Sequence, residues 1–350
     1  MPIRIWGVDP MFPKDRPGWA PLYEWIERYE LDLLRDWSAT VEEWGQPTVA
    51  RRSERRPSDH PDLWERVDTV ETPAGPLTRI DYEFKDGRPG YHKQHLIEGV
   101  ADARTWLSIP FRAPAFRVDS YFDLERRTGD RALLAVGIDH ALYSVQRMLG
   151  SEMFGYWLMD ERPLLREMVE HEFRQIEAEV KRYLAFGAGD CFAYVGPELC
   201  IPPLASPRDF REFVFYYDQR LIDLIHDAGK LVWVHCHGDM DPVLEAFIEM
   251  GVDCLNPIEP PPVGRLTLAE AKARVAGRMA LEGGVENGDF DRLGPRQMER
   301  VVEQIVAQGK PGGGFILCPT SDPNTWTGLG RRHLDNFRAF VETGVRLRDY

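Results

Sequence analysis

Two histidines two residues apart, His235 and His237, end the apolar run Leu231-Val232-Trp233-Val234-His235-Cys236-His237-Gly238. Side chains alternate faces along a strand, so the two imidazoles share one face while Val232, Val234 and Cys236 take the other. Imidazoles one strand-step apart can be offered to a single metal ion, typically zinc. Two histidines hydrogen-bonded separately in a polar pocket are the alternative. Cys318, closing the later apolar run Phe315–Cys318, is the candidate third ligand; a lone buried cysteine more commonly serves as a small apolar residue. Cys236, on the wrong face for ligation, is expected to be structural. Glu198, Glu259 and Glu282 are candidate acid–base groups or further ligands, and Tyr194 and Asn256 are candidate cofactor contacts. Glu286 and Ser321 fall at comparable places. A helix opening at Asp241-Pro242 would turn its positive end toward the histidines.

These residues share one feature: each lies within, ends or follows a short apolar run. Strands are expected at Leu133–Gly137, Cys191–Val195, Leu231–Gly238, Cys254–Ile258, Met279–Val285 and Phe315–Cys318. Amphipathic helices separate them. One, near 163–186, stripes Leu165, Val169, Phe173, Ile176, Val180 and Tyr183 on one side. Another starts with Ser206 as N-cap and Pro207 in its first turn, and Thr267 with Glu270 forms a capping box before a third. Regular alternation of strand and helix implies a parallel sheet. Five successive units without a dinucleotide-binding fingerprint favour a single (β/α)8 barrel, whose active site lies at the C-terminal ends of its strands. Gly312-Gly313-Gly314 precedes its strand and therefore reads as a turn on the opposite rim.

The first third is read as an N-terminal extension of that barrel. Leu22–Trp37 reads as a helix, Arg51–Arg56 as a solvated basic loop, and Val67–Ile80 as a hairpin around Pro73-Ala74-Gly75-Pro76. Residues 1–350 are taken as one domain, with 1–125 the extension and first barrel elements and 126–345 the recognisable βα units.

With 350 residues, 43% hydrophobic and 29% charged, the chain can bury a full core. A net charge of −14 argues against nucleic acid as a partner. No apolar run suggests a membrane span or an export signal, and five irregularly spaced cysteines fit a reducing compartment, so a cytoplasmic location is expected.

Four segments together resemble one superfamily. Leu204-Ala205-Ser206-Pro207-Arg208-Asp209-Phe210-Arg211-Glu212-Phe213 is similar to its SP..F.EF segment, and His235-Cys236-His237-Gly238 stands at its H-x-C-G or H-x-H-G position. Met250-Gly251-Val252-Asp253-Cys254-Leu255-Asn256-Pro257 resembles MGVD.LNP, and Ile316-Leu317-Cys318-Pro319 resembles ILxP. This is the uroporphyrinogen-decarboxylase and corrinoid-methyltransferase superfamily, and the likeness is closer to the methyltransferase branch. It implies a zinc-dependent enzyme moving a methyl group between a small molecule or corrinoid carrier protein and a thiol-type acceptor, with His235, His237 and Cys318 on the metal. Ser321 stands where that branch has its late cysteine. The alternative implied is a metal-free lyase decarboxylating a carboxylated ring compound. The decarboxylase's N-terminal arginine motif has no counterpart in Phe12-Pro13-Lys14-Asp15-Arg16-Pro17-Gly18. A homodimer is compatible with either reading.

Overall fold

A computed structural model describes residues 1–40, 43, 49–323 and 328–350. The strands in chain order are β1 (Leu34–Trp37), β2 (Arg51–Pro57), β3 (Leu63–Thr72), β4 (Gly75–Phe84), β5 (Tyr91–Gln94), β6 (Leu133–Gly137), β7 (Cys191–Val195), β8 (Leu231–His235), β9 (Cys254–Ile258), β10 (Ala280–Val285) and β11 (Phe315–Pro319). They form two sheets. One is a seven-stranded sheet ordered β1-β6-β7-β8-β9-β10-β11, with every pairing parallel; the other is antiparallel, ordered β2-β3-β4-β5.

Beyond the two edges of the parallel sheet lies the N-terminal segment. Ile3 bridges Leu317 of β11 in parallel sense, and Asp32, just before β1, donates its N–H to the Ile3 carbonyl at 2.8 Å. The sheet is thus curled, with residues 2–4 touching both ends. Its two faces differ in composition. The outward face, with Val232, Val234 and Cys236, joins the large apolar cluster under the helices. The inward face holds a small cluster of Ala135, Cys191, Ala193 and Trp233, flanked by Trp6, Leu34 and Cys254.

The helices follow their sequence signals. Arg162–Phe186 buries Leu165, Val169, Phe173, Ile176, Val180 and Tyr183, and Gly187 ends it in the left-handed conformation at φ 74°. Ser206 and Asp209 cap each other's backbone N–H at the start of Pro207–Phe210, and Thr267 and Glu270 do so ahead of Leu268–Val275. Between Arg211 and Phe215 the chain widens into a π-turn before continuing to Asp227.

Three expectations are corrected. The helix read over Leu22–Trp37 ends at Arg28; its second half alternates buried and exposed residues through Leu31, Leu33, Arg35 and Trp37, and forms β1. Arg51–Arg56 is not a loop but the exposed edge strand β2. It is held by ion pairs across strands, Arg52 to Glu71 and Arg56 to Glu65 among them. Charged side chains on such an edge discourage pairing with another chain. The helix expected at Asp241 starts at Leu244 and has seven residues, so it presents no organised N-terminus to the histidines. The expected hairpin is present but longer, as β3 and β4. No helix among the described residues is long and apolar enough to cross a membrane.

Candidate active site at the strand ends

Trp233, His235 and His237 follow one another along the inner face of β8 and its extension, and they meet polar groups of Glu282 on β10, Asn256 on β9 and Glu259 just past β9. His235 Nδ1 lies 2.7 Å from Asn256 Oδ1, its register partner on β9. An amide oxygen only accepts, so Nδ1 carries the proton and the lone pair is left on Nε2. The ring is stacked on Trp6, with centroids 4.7 Å apart. Burial, followed by the charge of His237, lowers the His235 pKa to about 4, so this imidazole is neutral through the physiological range.

His237 is the opposite case. Its Nδ1 lies 3.0 Å from Glu259 Oε1, and the other Glu259 oxygen accepts the Gly238 N–H at 2.5 Å. Burial pushes this imidazole down. The Glu259 hydrogen bond and charge, backed by Glu198 and Glu286, outweigh it, and the pKa is raised overall. The two rings meet edge to face with centroids 4.5 Å apart. One site therefore holds a neutral imidazole with an open Nε2 lone pair beside an imidazole biased toward its cation. In both, Nδ1 is fixed by an oxygen, which sets the ring orientation in the way that supporting groups set metal-bound histidines.

Below this mouth lies a closed layer. Glu282 is fully buried, 2.9 Å from Arg4 and accepting the Trp233 Nε1–H at 2.8 Å. Cys318 is fully buried beside that ion pair; burial and the Glu282 charge push its thiol pKa well up, so the thiolate is disfavoured.

The sequence-derived candidates therefore separate. His235, His237, Asn256 and Glu259 come together. Glu198 sits on the turn Pro197–Cys200, where it accepts the Gly196 N–H at 3.0 Å and faces His237 through its charge. Glu282 belongs to the layer below, as an ion-pair partner. Tyr194 lies in the outer apolar layer, stacked on His140 at 5.5 Å, and so offers nothing to a ligand inside the sheet. Cys236 is in that same outer layer, on the face that strand alternation gives it. Arg4 and Trp6 were missed. The Ile3-Arg4-Ile5-Trp6 alternation was their signal: Ile3 and Ile5 are buried in the outer cluster, whereas Trp6 packs on the inner one.

Among the described residues, no three His, Cys, Asp or Glu side chains gather in a group able to hold a metal ion. Two imidazoles fit the first two positions of a zinc site, and Cys318 does not complete it. The three-ligand centre expected from the sequence does not fit.

A curled parallel sheet with its helices outside and polar residues collected at its C-terminal strand ends makes this a TIM-barrel-like α/β protein. Residues 201–343 match the uroporphyrinogen decarboxylase (URO-D) family model. Among solved structures, a methyltransferase from Methanosarcina mazei aligns with a TM-score of 0.53 at 15% identity, covering 75% of this chain and 73% of that one. A B12-independent methionine synthase from Shewanella sp. W3-18-1 aligns with a TM-score of 0.48 at 9% identity, covering 77% and 74%. At these identities the likeness is one of fold. No curated protein matches significantly.

Proposed function

We propose that this protein is a methyltransferase or demethylase-type enzyme that moves a methyl group between a small molecule or corrinoid carrier and a thiol-type acceptor at the His235–His237 mouth. The observation carrying this reading is that both imidazoles have Nδ1 tied to an oxygen, leaving their Nε2 atoms without a hydrogen bond among the described residues and 4.5 Å between ring centroids. Were zinc held here, His235 and His237 would supply only two of its ligands, and the ion would lower the pKa of a thiol bound beside them. The remaining work is done by protein groups. His235 stays neutral and can accept a hydrogen bond at Nε2, Glu259 holds His237 in place, and Trp6 fixes the His235 ring from below. The transfer forms a sulfur–carbon bond, breaks the methyl–carrier bond with its electron pair left on the carrier, and releases the thiol proton.

The carboxylates of Glu198, Glu259 and Glu286 all act on His237, so the mouth is electronegative. Such a field opposes a ring bearing many carboxylates, which weighs against uroporphyrinogen as substrate. We also infer that residues 2–4 are the eighth stave of a closed barrel, supported by the Ile3–Leu317 bridge and the Asp32–Ile3 hydrogen bond.

The test is anaerobic incubation with methylcobalamin and a small thiol, with and without added zinc. Thioether should accumulate, and His235→Ala and His237→Ala should each abolish it. Absence of thioether, with carbon dioxide released from a carboxylated ring compound, would put the lyase reading in its place.

A further inference from the structure

A large cavity lies at the other end of the sheet. It measures about 910 Å³ and is bordered by the first residues of the strands, among them Leu34, Leu133, Cys191, Leu231, Cys254 and Ala280. Barrels of this class normally fill their interior with layers of large branched side chains. Here the lowest layer is built partly from small residues, Ala135 and Cys191 on the inner face with Cys254 beside them, so space is left open below Trp233.

Three observations define what would fill it. The walls are apolar, and two rim leucines, Leu133 and Leu231, are 42% and 47% exposed, which is costly for large aliphatic side chains without a covering partner. The rim is acidic: Glu27, Glu30, Asp32, Asp130 and Asp253 line it, against Arg131. At the inner end stands the fully buried carboxylate of Glu282, which also lines the cavity. Its Oε1 is 2.9 Å from Arg4, which lines the cavity as well, so this matched pair closes the inner end and leaves the unbalanced negative charge at the rim. A low-dielectric cavity ringed by one sign of charge concentrates ligands of the opposite sign.

We propose that this cavity is a second ligand site, distinct from the mouth, for a small organic cation with an apolar body, such as an aryl-alkyl ammonium compound. The apolar part lies against Trp233, Cys254 and Leu34, and the ammonium group is held by the acidic rim. Trp6, Trp233 and His235, stacked at 5.1 Å and 4.7 Å around Trp6, stand between this cavity and the mouth.

Benzylamine, benzyl alcohol and benzoate, titrated into the whole protein by calorimetry, form a set of matched size and differing charge. Benzylammonium should bind saturably and about tenfold more tightly than the alcohol, a difference of about 1.4 kcal/mol, and benzoate should not bind. Cys254→Phe should abolish binding by filling the cavity. Asp130→Asn, an exposed rim change that leaves the fold alone, should weaken binding about threefold. His237→Ala should leave it unchanged, which separates this site from the mouth. No saturable binding, equal binding of benzoate, or binding that survives Cys254→Phe while failing in His237→Ala would overturn the proposal.

Discussion

The mouth and the layer beneath it are built from the same strands, yet they treat their polar groups in opposite ways. At the mouth, His235 and His237 each use one nitrogen for a structural hydrogen bond and keep the other open. In the layer below, Arg4, Glu282 and Trp233 turn their polar groups on one another, closed off from water. A polar residue on the inner face of a barrel strand is thus not a functional residue by position alone. Glu282 on β10 faces Arg4, one layer below His235 on β8, and that single step decides whether its charge is matched internally or left for a ligand.

The largest effect that separates the two regions is expected in the lower layer. Arg4→Met leaves the buried Glu282 carboxylate without its ion partner and should cost about 3–5 kcal/mol in denaturant unfolding. The double variant Arg4→Met with Glu282→Leu should recover most of that loss, because a buried ion pair and a packed apolar pair differ little in net stability. Equal destabilisation by the single and double variants would show that the pair does more than satisfy itself.

The mouth should declare itself through pH. His235, with its pKa lowered to about 4 in the folded protein, binds fewer protons than it does unfolded, so its contribution is complete above about pH 6.5 and is lost as pH falls toward 4. The full loss is about 3 kcal/mol. His237 runs the other way: its raised pKa gives stability that is complete below about pH 6.5 and fades as pH rises through the folded value. Wild type compared with His235→Gln across pH 4–7 should show the acid loss only where His235 is present.

Smaller effects follow outside the sheet's interior. Cys236→Ser places a hydroxyl in the outer apolar layer and should cost about 1–3 kcal/mol while leaving the titrations of both histidines as they were. Arg52→Ala removes one half-exposed ion pair from the edge strand β2 and should change stability by about 0–1 kcal/mol. A larger change there would mean that the antiparallel sheet supports the parallel one more directly than its exposed edge suggests.

The sequence was most legible where local chemistry and tertiary fold agree. Ser206 and Thr267 cap the helices that they announce, and strand alternation correctly put His235 and His237 on one face with Cys236 on the other. It failed where a short element lacks a pattern of its own. Leu31, Leu33 and Trp37 fit a helical stripe as well as a strand, and the break between helix and β1 comes at Tyr29 and Glu30, the latter at φ 48°. Arg51–Pro57 has no buried face, so nothing apolar marked it as a strand. Cys318 sits at the right end of the right strand, but its depth in the sheet is a tertiary property, and the buried Arg4–Glu282 pair occupies its surroundings.

The central claim is that the mouth holds two histidines whose protonation is biased in opposite directions, both with Nδ1 committed and Nε2 open. Nitrogen-15 spectra of the two imidazoles followed from pH 4 to 8 test it directly. His235 should remain neutral with its proton on Nδ1 until the most acid points, while His237 titrates above the ordinary imidazole value and drops toward it in Glu259→Gln. Both rings protonating together near pH 6.5, or His235 carrying its proton on Nε2, would contradict the account.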